Sequence, residues 1–153
     1  ELPHVGRTKG GMAVMPYTAP VDGASISYSL CVPAGVDSVD VRVVVKSTLA
    51  FARTEGHRYS VGFDGAEPVV VNFNGDLNEA PENIYTVFYP TVARRVVEKV
   101  VRLAVPRGDV GRRVRLSLKP MEPGIVFEKI IVDFGGYRPS YLFGEESDCV
   151  KKF

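Results

Sequence analysis

Apolar positions along the chain recur every second residue. Ile26, Tyr28, Leu30 and Val32 alternate with Ser25, Ser27, Ser29 and Cys31. Val39, Val41, Val43 and Val45 share a face, with Asp40, Arg42 and Lys46 opposite. Tyr59, Val61 and Phe63 alternate with Arg58, Ser60 and Gly62. Period two predicts strands with one face buried and one solvated or covered by a partner. Asp64-Gly65 follows the third run and precedes Val69, Val71 and Phe73, which reads as a hairpin because these residues accept the positive φ of a tight turn. Glu67-Pro68 lengthens that turn. Further strand faces are Val101, Leu103 and Val105, then Val114, Leu116 and Leu118 after the turn Pro106–Asp109. The run from Ile125 to Phe134 is apolar on both faces, which predicts a central strand, and Gly135-Gly136 ends it.

The stretch from Asn78 to Val100 carries two opposed signals. Asn78 is placed to cap a helix, with Glu79, Pro81 and Glu82 in its first turn. Ile84, Tyr85, Thr86, Val87, Phe88 and Tyr89 prefer strands, and Pro90 reads as a helix stop. The expectation is at most one short helix or an irregular crossover before a strand that starts in the nineties. Fifteen glycines and eleven prolines punctuate the apolar runs, and no internal repeat or linker divides the chain. The pattern predicts an all-β fold: an antiparallel β-sandwich of about seven to nine strands, formed as one domain over residues 1–153.

Composition narrows what such a domain does. The 153 residues fall well short of the roughly 250 of a complete (β/α)₈ barrel. Nineteen Lys and Arg against eighteen Asp and Glu leave a formal charge of +1, which excludes a strong general pull on nucleic acid or anionic lipid. No apolar run approaches the roughly 20 residues of a membrane helix. The chain begins Glu1-Leu2-Pro3, which reads as a mature or excised piece. Cys31 and Cys149 are too few for a disulfide scaffold and read either as two free thiols or as one pair, the loose tail around Cys149 favouring free thiols.

Catalytic patterns are missing from the sequence. There is no Gly-x-Ser-x-Gly elbow, phosphate loop, dinucleotide fingerprint or zinc spacing. No catalytic residue is therefore assigned. Asn72, Asn74, Asp76 and Asn78 with Glu79 make an oxygen-rich loop. It is read either as a calcium site or as a polar turn whose Asn and Asp side chains cap their own backbone. A calcium site needs six or more ligands, more than one short loop commonly supplies. No other cofactor is expected.

Two clusters remain as surfaces. From Arg94 to Lys119, nine cations stand against Glu98 and Asp109, a local charge of +7 hidden in the total. Alternation sets Arg113, Arg115 and Lys119 opposite the Val114, Leu116 and Leu118 face. Arg102 is expected on the same outward face of a neighbouring strand. This basic face would dock an acidic sugar or another domain, or stand solvated and neutralised by acids from other strands. Without Trp, a sugar platform has to come from Tyr or Phe. Tyr85 and Tyr89 in the crossover, with Phe51, Arg53 and His57, are the candidates. Packing over the sandwich edge is the competing reading for these rings.

The closing segment is the most specific. Gly124-Ile125-Val126-Phe127-Glu128-Lys129-Ile130-Ile131-Val132-Asp133-Phe134-Gly135-Gly136 leads to Pro139-Ser140-Tyr141-Leu142, Gly144 and Glu146-Ser147. It resembles the C-terminal signature of glycoside hydrolase family 115, the xylan α-glucuronidases, with Phe143 inserted and Glu145 in place of a proline. Gly6-Arg7-Thr8 with Val14-Met15-Pro16, Gly56 to Asp64, and Glu67 to Asn72 fit the same family in the same order. The resemblance implies a carbohydrate-binding-module-like C-terminal sandwich, without the catalytic positions, which lie on the family's central α/β barrel. It implies the catalytic domain of the same polypeptide as partner and xylan or glucuronoxylan as a further one, in a secreted or periplasmic bacterial enzyme. The functional expectation is a non-catalytic accessory domain. The alternatives are a stand-alone carbohydrate-binding module and a purely structural interdomain or oligomerisation sandwich.

Overall fold

The computed structural model describes residues 13–14, 22–47, 56–77, 80–106 and 113–140. Among these described residues, eight strands form two antiparallel sheets. They are β1 (Ala13–Val14), β2 (Ile26–Cys31), β3 (Ser38–Lys46), β4 (Arg58–Phe63), β5 (Val69–Asn72), β6 (Val96–Ala104), β7 (Arg113–Pro120) and β8 (Val126–Asp133). Sheet one runs β1-β8-β3-β6 and sheet two runs β2-β7-β4-β5. Among the described residues, the all-β sandwich, its strand number and its one short helical segment agree with the expected fold.

One cluster of buried side chains joins the two inner faces. Val39, Val41, Val43 and Val45 of β3 meet Tyr59, Val61 and Phe63 of β4 and Val114, Leu116 and Leu118 of β7 there. Fully burying each such side chain contributes about 1.5–3 kcal/mol, so a one-residue slip of β3 would forfeit four burials at once. β8 pairs with β3 from Phe127 to Asp133 but with β1 only at Val126 and Phe127, and most of its residues are half-buried, so the strand is less enclosed than its two apolar faces predict. Its outer face adds Ile131 to a second cluster with Val44 and Val96. Tyr28 departs from its neighbours: Ile26 and Leu30 pack on the core, whereas Tyr28 on the edge strand is exposed. Cys31 ends β2 as an exposed free thiol, and Cys149 lies outside the described residues.

The crossover from β5 to β6 corrects one expectation. Ile84–Phe88 form a π-helical turn that runs into α1 (Tyr89–Arg94), so the residues with strand preference are helical. Pro90 does not stop the helix; it lies in the first turn of α1, directly after the π-helical turn. Asn78, the expected cap, lies outside the described residues. Arg95 ends α1 in the left-handed region with φ 61°, and its N–H donates to the Thr91 carbonyl at 2.8 Å. That reversal delivers the chain into β6 at Val96.

Gly135 and Gly136 both take positive φ, 113° and 99°, where a Cβ would be strained. The Asp133 carboxylate accepts the Gly135 and Tyr137 N–H groups at 2.7 and 3.3 Å and holds the turn. The turn seats the Tyr137 ring over the Arg42 guanidinium, 5.0 Å from the ring centroid, on the outer face of sheet one.

Candidate functional site

The expected basic face divides between the two sides of the sandwich. β6 pairs with β3, not with β7. Arg102 therefore points from the outer face of sheet one, whereas Arg113, Arg115 and Lys119 share the outer face of sheet two. The two sheets turn their outer faces away from each other, so Arg102 does not join the other three. Acids from β3, β6 and the turns meet much of the charge. Arg94 approaches Glu98 at 4.0 Å, Lys99 meets Asp76 at 2.9 Å, Arg102 meets Asp40 at 3.9 Å and Arg115 meets Asp64 at 3.8 Å. These are partly exposed pairs worth about 0–1 kcal/mol each.

On sheet two, hydroxyls surround the cations. Register places Ser29 beside Arg115, Ser27 beside Ser117, and Ser60 beside Lys119. The Ser27 and Ser117 hydroxyls lie 3.1 Å apart, and Ser117 donates to Asp64 Oδ1 at 3.0 Å. At the Lys119 end the face opens into a groove lined by Asp22, Ser25, Ser60, Val70, Lys119 and Met121, among others.

The expected sugar contacts also separate. His57 is fully buried, with its ring 5.7 Å from Phe73, so it offers no surface to a sugar. Desolvation lowers its pKa, and the nearby Glu122 carboxylate opposes that shift. Phe51 and Arg53 lie outside the described residues. Tyr85 and Tyr89 are brought together on the crossover, 76% and 51% exposed, with ring centroids 5.7 Å apart and planes 44° apart. Phe88 packs edge-on to Tyr89 at 5.7 Å. Val92, one α1 turn beyond Tyr89 and 56% exposed, extends the apolar surface.

The oxygen-rich loop turns inward. Asn72 Oδ1 accepts the Asn74 and Gly75 N–H groups at 3.3 and 2.9 Å, and Asn74 Oδ1 accepts the His57 N–H at 2.5 Å. Asp76 Oδ2 binds Lys99. These oxygens latch the strand entry at Gly56-His57 against the end of β5, the arrangement of a polar turn that satisfies its own backbone. Asn78 is outside the described residues. Among the described residues no three His, Cys, Asp or Glu gather as a metal cluster.

Glu122 escaped the sequence reading. It is 4% exposed in the turn between β7 and β8, and it accepts the Arg58 backbone N–H and Nε–H, each at 2.6 Å. Met121 returns a backbone bond to the Arg58 carbonyl at 2.9 Å. An acid between two prolines, Pro120-Met121-Glu122-Pro123, was the available signal, but its partner 64 residues away was not legible.

The family model for the glycosyl hydrolase family 115 C-terminal domain matches residues 1–146. Among solved structures, the chain resembles a family GH115 4-O-methyl-α-glucuronidase, BtGH115A, described as having specificity for decorated arabinogalactans. The match has a TM-score of 0.63 at 18% identity and covers 84% of this chain. This chain spans 15% of the length of that structure. No curated protein matches the sequence.

Proposed function

Since the chain belongs to the C-terminal domains of glycoside hydrolase family 115, we propose that it is a non-catalytic accessory domain that docks on and stabilises the remainder of a larger glycoside hydrolase. The observation that carries this reading is the exposed apolar surface of Tyr85, Tyr89 and Val92 on the crossover. Clustered large apolar side chains left in water mark an interaction surface. The 44° between the two rings favours a protein contact over a flat sugar platform. The span of 15% of the similar structure supports a partner within the same polypeptide.

The parent reading follows from the family: a hydrolase that releases glucuronate or its methyl ether from a polysaccharide. The xylan implied by the family resemblance and the arabinogalactans named for BtGH115A share a glucuronate substituent and differ in the chain that bears it. The uronate is therefore the part carried forward. Replacing both rings, Tyr85→Ser with Tyr89→Ser, tests the docking. The isolated chain should keep its stability, and the full-length polypeptide should lose thermal stability. An unchanged full-length protein would reject docking through this surface. Glucuronate release by the isolated chain should be blank, and reproducible turnover would overturn the non-catalytic reading.

A further inference from the structure

We propose that Arg95 is the polar anchor of the tyrosine surface and pairs a carboxylate presented by the remainder of the polypeptide. The inference rests on the docking reading and adds the chemistry of the surface that meets it. Its starting point is a strained backbone. Arg95 has φ 61° and is the only non-glycine residue with positive φ among the described residues; every other such position is glycine. A Cβ makes this conformation costlier than it is for glycine, the residue that most often closes a helix this way. The conformation is fixed from both sides. The Arg95 N–H donates to the Thr91 carbonyl at 2.8 Å, and its own carbonyl accepts the Ser47 N–H at 3.4 Å, at the head of the β3–β6 ladder. Helix end and sheet thus set the backbone whatever side chain stands there, and folding alone would favour glycine. A residue held in a costly conformation by its surroundings points to a task for its side chain.

That task lies outside the described residues of this chain. Arg95 is exposed, and among the described residues no acid pairs with it. Glu98 is already engaged, by Arg42 at 3.0 Å and by Arg94 at 4.0 Å. Arg94 also supplies the cation that favours a helix C-terminus, so the helix needs no second one from Arg95. Arg95 closes the helical segment that exposes Tyr85, Tyr89 and Val92, three residues past Val92. Tyrosine and arginine are the side chains that most often carry the energy of protein interfaces. At the opposite end of the segment stands an exposed acid, Glu82, three residues before Tyr85. An apolar surface with an acid at one end and a cation at the other admits its partner in one direction only. The guanidinium end takes a carboxylate, which its fork of donors fits in a bidentate pair. The partner surface is therefore apolar opposite the rings and acidic opposite Arg95. The similar structure extends far beyond the 15% that this chain spans, which supports a partner in the same polypeptide.

The test is amide hydrogen exchange of residues 84–95, in the 153-residue chain and in the full-length polypeptide, at low salt. The expected result is exchange about tenfold slower in the full-length protein, because the partner covers the segment. Arg95→Glu in the full-length protein should abolish most of that slowing, and Arg95→Lys, which keeps the charge, should retain most of it. Salt at about 0.5 M should narrow the difference between wild type and Arg95→Glu, since it screens exposed charges. Arg95→Gly gives effects of opposite sign in the two proteins. In the 153-residue chain it removes the strain and should raise the folding equilibrium constant about twofold or more in urea. In the full-length protein it removes the cation and should speed exchange of the segment about threefold or more. A residue with only a structural role would move both readouts the same way. Slowing that survives in Arg95→Glu would overturn this inference and leave the docking reading standing. Equal exchange of the segment in the two wild-type proteins would overturn both. An Arg95→Gly chain less stable than the wild type would overturn this inference too, since no strain would then be held at Arg95.

Discussion

Glu122 shows how much one buried carboxylate organises. Its two oxygens hold the first residue of β4 to the turn that follows β7, through the Arg58 backbone N–H and the Nε and Nη2 of its guanidinium. Truncation leaves the Arg58 N–H without this acceptor. Glu122→Ala should therefore cost about 2 kcal/mol in urea unfolding, and Glu122→Gln, which keeps the shape and loses the charge, about half of that. A loss below about 0.5 kcal/mol for Glu122→Ala would mean that solvent replaces the carboxylate freely. His57 next to it gives a pH signature. Burial holds its folded pKa below the 6.5 of the unfolded chain. The unfolded state then binds the proton first as pH falls, so His57's contribution is intact above pH 6.5 and erodes below it. Unfolding stability should fall from pH 7 to pH 5 more steeply in the wild type than in His57→Asn. Parallel curves for the two proteins would contradict the assignment.

The Asn72–Asp76 loop and the entry to β4 act as one element. A Cβ on Gly56 would sit 2.5 Å from Asn72 Oδ1 and 2.8 Å from Asn74 Oδ1, and the backbone there has φ 142°. Both side chains are held by backbone donors, so neither can retreat without breaking a bond. Gly56→Ala should cost about 2 kcal/mol or more in a denaturant melt, through this close approach and the strained φ together. A neutral substitution would show that the latch yields. The crossover was harder to read. Ile84, Thr86, Val87 and Phe88 favour strands by propensity, yet a helical turn places Tyr85 and Tyr89 outward and lets β6 begin at Val96. Propensity is a weak prior, and tertiary connection overrode it here.

At the scale of the whole molecule, the exposed rings matter only with a partner present. Tyr85 and Tyr89 touch each other and Phe88 but bury little of themselves, so replacing both with Ser should move the isolated chain by less than about 0.5 kcal/mol. In the full-length polypeptide the same change should lower the melting temperature by about 2–4 °C, the shift for roughly 1 kcal/mol in a larger unit. The cation-rich stretch makes the same point about scale. Its +7 is contiguous in sequence but is divided by β6 and β7 between the two outer faces. Local net charge along a chain is thus a poor guide to the field at a surface once consecutive strands join different sheets.

Alternation determined the strands and their buried faces: a side chain at every second position of β3, β4 and β7 has only one place to go. The Gly135-Gly136 turn was legible for the same local reason, since positive φ is cheap only without a Cβ. The closing signature was legible as a family pattern, which the match over residues 1–146 bears out. What the tertiary structure alone decided is proximity. It put His57 inside, brought Glu122 to Arg58, turned the Asn72 and Asn74 oxygens to backbone donors, and set Arg102 on the opposite face from Arg113, Arg115 and Lys119. Each of these depends on which strand lies beside which, and periodicity within a strand carries no record of its neighbour in the sheet.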